Sequence, residues 1–263
     1  MEYLLIFSQD DEDLMLYHAL KNIKEVRWID VGANDPINAS VTKFFSLRGG
    51  YGVNVEPQHI FYKKLKEDRP NDTNIEAGVS NKKGTMTLYG REGSQIASFA
   101  NKGGYNSGAK SRKVPVLTLK EICESCFEQG DDIHFLKIDV EGWEGPCIEG
   151  MDFNYVKPWI LCVESSNLDG KPVHSEWERL LMDAGYVFAL QYRENRFYVS
   201  KEHMEYKEKL VEPTLLRKTY NITKYTDNKK YERYENMGRR FKSSVLMRPI
   251  RFIYNYVKNR KTI

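Results

Sequence analysis

The chain has 263 residues and a mass of 30.8 kDa, and 41% of its residues are hydrophobic and 29% charged. This is enough apolar material for one α/β domain with an appendage or for two small domains, but no run approaches the 18 apolar residues of a membrane-spanning helix. The net charge is only +3, yet residues 216–263 carry +11, so the preceding 215 residues carry −8.

Short apolar runs alternate with helical patterns along most of the chain. The predicted strands of this pattern are 26–31, 52–56, 73–80, 134–140 and 159–165, and the predicted helices are 9–23, 36–47, 57–69, 116–128, 141–150 and 173–184. Continuous apolar runs are typical of strands that are covered on both faces. The alternation therefore predicts a doubly wound, mostly parallel, Rossmann-like sheet.

Two segments depart from this alternation. Residues 186–200 contain two strands around Glu194-Asn195, which predicts an antiparallel hairpin at the edge of the sheet, and residues 85–90 form another short strand. Residues 90–113 are rich in Gly, Ser, Asn and Lys, and they are too many for a simple connector. We interpret this segment as a lid or substrate loop, the alternative being a mobile surface excursion.

The first two predicted strands end in acidic residues around a glycine turn. Asp30 precedes Gly32 at the end of the first strand, and Glu56 ends the second strand 24 residues after Gly32. In a doubly wound sheet, ligands bind at the carboxyl ends of the strands, where a glycine lets the backbone approach closely. An acid at the end of the second strand can accept hydrogen bonds from ribose hydroxyls, so this pattern predicts a nucleoside site.

The turn lacks the other glycines of a dinucleotide fingerprint, which disfavours a nicotinamide-dependent oxidoreductase. Asp30 and Asp35 would also repel a pyrophosphate. An acidic turn instead favours a cationic ligand with an amino acid tail, such as S-adenosylmethionine.

Several motifs resemble the FkbM family of S-adenosylmethionine-dependent methyltransferases, over about residues 5 to 205. They are FSQDDEDL (7–14), WIDVGANDP (28–36), NVEPQ (54–58), EAGVS (76–80), FLKIDVEGWE (135–144), PWILCVES (158–165) and NRFYVS (195–200). The first motif usually ends in glycine in that family, where this chain has Pro36. The resemblance implies a class I methyltransferase sheet with S-adenosyl-L-methionine as cofactor.

The resemblance also assigns cofactor-binding positions. It implies Asp30, Gly32 and Asn34 around the methionine moiety, Glu56 at the ribose and Gly78 beside the adenine. Gln9 and Glu12 match the N-terminal segment that covers the cofactor in this family.

Carboxylates also follow the later strands, where an acceptor would bind. Asp139 and Glu141 come directly after one buried strand and Glu164 ends the next, so Asp139 and Glu164 are expected to be neighbours across the cleft. They could orient a sugar by hydrogen bonds or hold a divalent ion, although we assign no metal ligand from the sequence. His174, at the start of a helix, is the alternative base, or it only caps that helix. The predicted catalytic residues are Asp139, Glu164 and His174.

The basic C-terminal part is predicted to be a separate extension, residues 213–263, beyond a methyltransferase domain of residues 1–212. Within residues 243–263 apolar and basic residues recur at helical spacing, which is typical of an amphipathic helix. This helix could pack on the domain or on a partner, or make peripheral contact with an anionic membrane. A nucleic-acid-binding module is a weaker alternative, because the rest of the chain is acidic.

We therefore expect an O-methyltransferase that methylates a hydroxyl of a carbohydrate or sugar nucleotide for surface polysaccharide, the sugar being implied by the resemblance alone. A phosphate ester or polyketide hydroxyl is the alternative acceptor. The N-terminus turns acidic too early for a signal peptide, and the four cysteines do not suggest a disulfide framework. We expect a cytoplasmic protein, at the inner face of the membrane if the tail binds lipid, and a homo-oligomer stays open.

Overall fold

The computed structural model describes residues 2–99, 110–166 and 171–225. The strands are β1 (Glu2–Ile6), β2 (Arg27–Val31), β3 (Tyr51–Val55), β4 (Thr73–Ile75), β5 (Gly78–Val79), β6 (Gly84–Tyr89), β7 (Ser111–Leu117), β8 (Phe135–Ile138), β9 (Ile160–Glu164), β10 (Tyr186–Tyr192), β11 (Asn195–Ser200) and β12 (Tyr220–Lys224). The α-helices are α1 (Glu12–Leu20), α2 (Val41–Ser46), α3 (His59–Asp68), α4 (Leu119–Cys126), α5 (Glu144–Glu149), α6 (Glu178–Asp183) and α7 (Pro213–Leu216). Two 3-10 helices span His174–Glu176 and Lys201–Lys209.

Seven strands form the central sheet, in the order β10-β11-β9-β8-β2-β3-β4. The strands from β9 to β4 are parallel, and the β10–β11 hairpin joins β9 in antiparallel orientation. The strand order reverses at the pair β2–β8, which is the position where a doubly wound sheet opens a ligand crevice. The predicted fold class, including the antiparallel hairpin at the edge, is confirmed.

Each central strand contributes alternate side chains to two hydrophobic clusters, one on each face of the sheet. Trp28 and Phe135 pack with α1 and α2 on one face. Ile29 and Leu136, the next residues of the same two strands, pack with α4 and α6 on the other. Burial on both faces explains why the strands read as continuous apolar runs.

The helix predicted at 36–47 begins only at Val41, so its first part was wrong. The Oδ1 atom of Asp35 accepts hydrogen bonds from the backbone N–H groups of Ile37 and Asn38, both at 3.0 Å, and holds a turn there. Ser40 then caps α2, its Oγ atom accepting the N–H of Lys43 at 3.3 Å. Side-chain hydrogen bonds of this kind compete with helix formation.

The predicted helices 116–128, 141–150 and 173–184 also start later than expected. Residues 116 and 117 belong to β7, and a capping box at Thr118 and Glu121 starts α4. Gly142 has a left-handed backbone (φ 90°), so α5 cannot begin before it. The third helix is divided into a 3-10 turn and the six residues of α6.

The single strand predicted at 73–80 was wrong, because it is two strands in different sheets. β4 ends the central sheet, whereas β5 pairs with β7 in a small sheet of order β5-β7-β6. The chain changes sheets between residues 75 and 78, next to the ligand crevice. β7 was not predicted, because it lies partly in the segment that we interpreted as a loop.

The N-terminal strand pairs with a strand from the predicted C-terminal extension. β1 and β12 form a parallel two-stranded sheet in which Glu2 faces Tyr220, and Leu216 and Tyr220 are buried in the cluster that contains α1. The first part of the extension is therefore packed on the body, while the domain division at 212 stays a prediction. The predicted amphipathic helix at 243–263 lies outside the described residues, and none of the helices that are described is long and apolar enough to cross a bilayer.

Candidate functional site

A cavity of about 860 Å³, including its opening to solvent, lies at the carboxyl ends of the central parallel strands. Its size is in the range of small-molecule sites, about 300–1,000 Å³. Seven of the predicted site residues line it: Gln9, Asp30, Gly32, Asn34, Glu56, Gly78 and Asp139. The strands thus bring together residues that are as far apart in sequence as positions 9 and 139.

The turn after β2 can be occupied only by glycine. Gly32 has φ 76°, and a Cβ atom on it would lie 1.9 Å from the carbonyl oxygen of Asp139. The end of β2 and the loop after β8 therefore approach more closely than any side chain would permit. This contact puts the acid after β8 at the same wall of the cavity as the glycine turn.

Asp30 is buried and held on both sides. One carboxylate oxygen accepts a hydrogen bond from the hydroxyl of Thr42 at 2.9 Å, and the other lies 3.6 Å from the ammonium of Lys137. Asp30 and Lys137 are directly opposite each other in the β2–β8 register. Lys137 also contacts the Oδ2 atom of Asp139 at 3.1 Å, so one lysine links the two acids.

Glu56 is buried at the cavity wall, and both of its carboxylate oxygens already have backbone donors. The N–H of Gln58 donates to Oε1 at 2.7 Å and the N–H of Asn34 to Oε2 at 2.9 Å. Burial raises the pKa of this carboxyl group to about 7, although the two hydrogen bonds oppose the shift. Each oxygen keeps further lone pairs, which ribose hydroxyls could use.

The described part of the predicted lid lies against the cavity. Gln95, Ala97, Ser98 and Phe99 line it, and the hydroxyl of Ser98 donates to the carbonyl oxygen of Glu141 at 2.8 Å. A Cβ atom on Gly78 would lie 2.2 Å from the ring of Phe99, so Gly78 makes room for this ring. These contacts support the interpretation of a substrate or cofactor loop, of which residues 100–109 lie outside the described part.

Three carboxylates converge just beyond the cavity. One oxygen each of Asp139, Glu141 and Glu164 lies within 4.8 Å of the other two, and we call these residues the acidic cluster. Asp139 follows β8 and Glu164 ends β9, so their neighbourhood follows from the pairing of the two strands. Asp139 and Glu141 line the cavity, whereas Glu164 lies behind them and is 9% exposed.

Burial and mutual repulsion disfavour ionisation of the two glutamates in this cluster. Burial, followed by the charges of Asp139 and Glu144, raises the pKa of Glu141 to about 8. The same causes, in the same order, hold the pKa of Glu164 well above its ordinary range. Without a ligand, Glu164 is therefore protonated at neutral pH and can donate a hydrogen bond.

The loop that carries the acidic cluster is fixed from below by Glu144. Its Oε1 atom accepts hydrogen bonds from the N–H groups of Val140 and Gly142, both at 3.1 Å. Glu141 lies between these two residues with a left-handed backbone, φ 59°. The buried carboxyl group of Glu144 thus positions the Glu141 side chain without itself lining the cavity.

Two predicted residues, Glu12 and His174, lie outside the lining of the cavity. Glu12 is buried, and it accepts hydrogen bonds from the N–H of Asp10 and the side-chain amide of Asn195, both at 2.8 Å. His174 starts a 3-10 helix, and its Nδ1 atom is buried without a hydrogen-bond partner among the described residues. The roles assigned to these two residues stay predictions.

Sequence reasoning missed two residues of the cavity, Lys137 and Phe99. A lysine inside the apolar run FLKI reads as an interruption, but a charge in a buried strand beside an acid-ending neighbour is a usable signal. Phe99 had no such signal, because its position depends on the long connection between β6 and β7.

Comparison with known proteins identifies a family. The model of the Methyltransferase FkbM domain matches residues 30–188, which is more than half of the chain. No curated protein shows significant similarity to the chain.

Two solved structures illustrate the nearest shapes. A TehB-like S-adenosylmethionine-dependent methyltransferase from Corynebacterium glutamicum is 10% identical over 71% of this chain and 88% of its own, with a TM-score of 0.39. A precorrin-6y C5,15-methyltransferase from Geobacter metallireducens is 14% identical over 75% of this chain and 97% of its own, with a TM-score of 0.36. Similarities this low have no bearing on the acceptor or on the roles of residues.

Proposed function

The chain belongs to the FkbM methyltransferase family and is an S-adenosylmethionine-dependent methyltransferase, and on this premise we propose that it methylates a hydroxyl group. We further propose that this hydroxyl belongs to a carbohydrate or sugar nucleotide that is used for surface polysaccharide. The proximity of Asp139 and Glu164 at the end of the cofactor cavity is the observation that supports this function most directly.

The residues of the cavity fit the cofactor. When bound, S-adenosylmethionine supplies a methyl group on a positively charged sulfur. Glu56 offers free lone pairs to the ribose hydroxyls, and the acids Asp30 and Asp139 favour the ammonium and sulfonium charges. Phe99 offers an aromatic face on the Gly78 side of the cavity, where the resemblance puts the adenine.

The carboxylates after β8 and β9 suit a hydroxyl acceptor. As the acceptor oxygen bonds to the methyl carbon, the carbon–sulfur bond breaks and sulfur keeps its electron pair, while the hydroxyl proton passes to Asp139. Lys137, 3.1 Å from Asp139, fixes the orientation of this carboxylate. Methyl transfer otherwise requires mainly that the acceptor be held in line with the breaking bond.

A sugar fits this arrangement because it presents neighbouring hydroxyls to neighbouring carboxyl groups. Asp139 can accept a hydrogen bond from one hydroxyl, and protonated Glu164 can donate one to the next oxygen. A carbon or amine nucleophile would use fewer of these groups.

The experiment is transfer of a labelled methyl group into a panel of acceptors by the full-length protein. The panel contains sugar nucleotides and oligosaccharides, polyketide alcohols, phosphate esters, amines and nucleic acid. We expect label in an alkali-stable methyl ether on a sugar. Label that appears only in a phosphate ester or polyketide hydroxyl would replace the sugar by the alternative acceptor, and label on carbon or nitrogen would overturn O-methylation.

A further inference from the structure

We propose that the acidic cluster of Asp139, Glu141 and Glu164 binds one divalent cation of the class that prefers oxygen ligands, such as Mg²⁺, Mn²⁺ or Ca²⁺. The binding site itself follows from the geometry of the cluster. Its role in catalysis rests on the function proposed above.

The spacing of the three carboxylates matches a shared ion. Two oxygens that bind the same ion cannot be farther apart than twice the metal–oxygen distance, which is about 4.6–5.2 Å for Ca²⁺ and about 4.0–4.2 Å for Mg²⁺. The oxygens of the acidic cluster lie within 4.8 Å of one another. They therefore fit a larger ion as they stand, and side-chain rotation of a few tenths of an ångström fits a smaller one.

Clusters of acids are common on protein surfaces, but Glu164 is not a surface residue. It is 9% exposed, and its Oε2 atom is buried without a hydrogen-bond partner among the described residues. A buried carboxylate oxygen without a partner costs free energy, which a bound cation would recover. This unsatisfied atom is the second observation that points to a ligand.

The cluster also lacks protein cations. Lys137 contacts Asp139, but none of the Lys, Arg or His residues in the described ranges forms an ion pair with Glu141 or Glu164. Three carboxylates with one ammonium leave room for two positive charges. A divalent ion supplies both at a single point, and oxygen-only ligands select Mg²⁺, Mn²⁺ or Ca²⁺ over softer metals.

The position of the cluster gives the cation a task. Asp139 and Glu141 line the end of the cofactor cavity, so an ion between them and Glu164 lies where the acceptor oxygen must arrive. An acceptor hydroxyl bound to the ion loses its proton more readily, and a carboxylate oxygen of the cluster that does not bind the ion takes this proton. The oxygen–carbon bond then forms as the carbon–sulfur bond breaks.

The test is direct binding of Mn²⁺ to chelator-treated, desalted full-length protein, followed by the loss of the free-ion signal in electron paramagnetic resonance. We expect one Mn²⁺ per chain and binding weakened by about tenfold or more in Glu164→Gln and in Glu141→Gln, since each removes a charged ligand. Glu124→Gln, which changes an exposed glutamate on α4, is the matched control and should bind as the parent does. Circular dichroism and cofactor titration verify that each variant is folded.

The outcomes separate this inference from the proposed function. Absence of Mn²⁺ binding, or binding that both cluster variants leave unchanged, overturns the cation site, even if sugars are methylated. Mn²⁺ binding that depends on Glu141 and Glu164 supports the site, even if no sugar in the panel is methylated. Preferred methylation of amino-bearing acceptors without Mn²⁺ binding would identify a substrate ammonium as the occupant and also overturn the proposal.

Discussion

The two halves of the ligand-binding sheet edge both carry acids, but they differ in how these acids are satisfied. At the ends of β2 and β3, Asp30 receives a hydrogen bond from Thr42, and Glu56 receives two from backbone N–H groups. At the ends of β8 and β9, the carboxylates of the acidic cluster face one another, and one oxygen of Glu164 has no hydrogen-bond partner among the described residues.

This difference separates a preformed binding surface from one that is completed by its ligand. The first half has its geometry before any cofactor arrives, so cofactor binding costs little reorganisation. The second half keeps charge that only an acceptor or a cation can neutralise. Substitutions in the two halves should consequently affect different steps, and the predictions below are ordered from the largest expected effect to the smallest.

Asp139→Asn should reduce turnover about a hundredfold or more while cofactor affinity changes little, because the amide cannot take the hydroxyl proton. Labelled-methyl transfer measures turnover, and titration calorimetry measures cofactor affinity. Asp183→Asn, an exposed substitution on α6, is the matched control.

His174→Ala tests the alternative base in the same assay. His174 lies outside the lining of the cavity, so we expect a loss of turnover smaller than about tenfold. A loss equal to that of Asp139→Asn would make the histidine the base and would remove the contrast between Asp139 and the other residues.

Glu56→Ala should weaken cofactor binding by about 2 kcal/mol, the scale of hydrogen bonds to a charged group. Turnover at saturating cofactor should change much less. Part of the loss would come from the turn at Asn34, whose N–H loses its acceptor, so Glu56→Gln is the companion variant. Unchanged cofactor affinity in folded Glu56→Ala would remove the ribose assignment.

Cofactor affinity should also rise several-fold between pH 6 and pH 8. Glu56 has a pKa of about 7 in the unliganded protein, so raising the pH produces the ionised carboxylate that accepts ribose hydroxyls best. The raised pKa has the opposite effect on stability, since the folded protein loses the benefit of its bound proton as the pH rises from about 4.5 to about 7. Glu56→Gln should abolish this part of the affinity profile, and an identical profile in that variant would assign it to another group.

The sequence predicted the parts of this comparison that depend on strand ends. Asp30, Gly32, Glu56 and Asp139 lie in one cavity because each follows a buried apolar run, and parallel strands end at one edge of a sheet. The sequence did not predict which acids have partners. The donor to Asp30 is Thr42, in a helix whose start was misplaced, and Lys137 matters only because the register puts it opposite Asp30.

The pairing of β1 with β12 was also beyond sequence reasoning. Neither strand has a local signal that names its partner, and 218 residues separate Glu2 from Tyr220. A strand from the predicted extension therefore completes the body, which changes the design of the last test.

A chain that ends at Tyr225 should retain turnover on a soluble acceptor within about twofold. It keeps β12 but lacks residues 226–263, which carry 11 basic and 3 acidic residues. Since each Lys or Arg near an anionic leaflet contributes on the order of 1 kcal/mol, full-length protein should float with anionic vesicles at low salt and the shortened chain should not. If neither floats, the tail is a packing or assembly element.

The β1–β12 pair also sets the order in which the protein can be completed during synthesis. At about 5–20 residues per second, the ribosome makes Tyr220 some 10–40 s after Glu2. Until then one edge of β1 is an open template for other strands. The ammonium of Lys224, which donates to the carbonyl oxygen of Gln9 at the cavity, arrives last of all. The nascent chain can therefore form its central sheet early, but it acquires a finished cofactor site only after nearly all of the described residues have been translated.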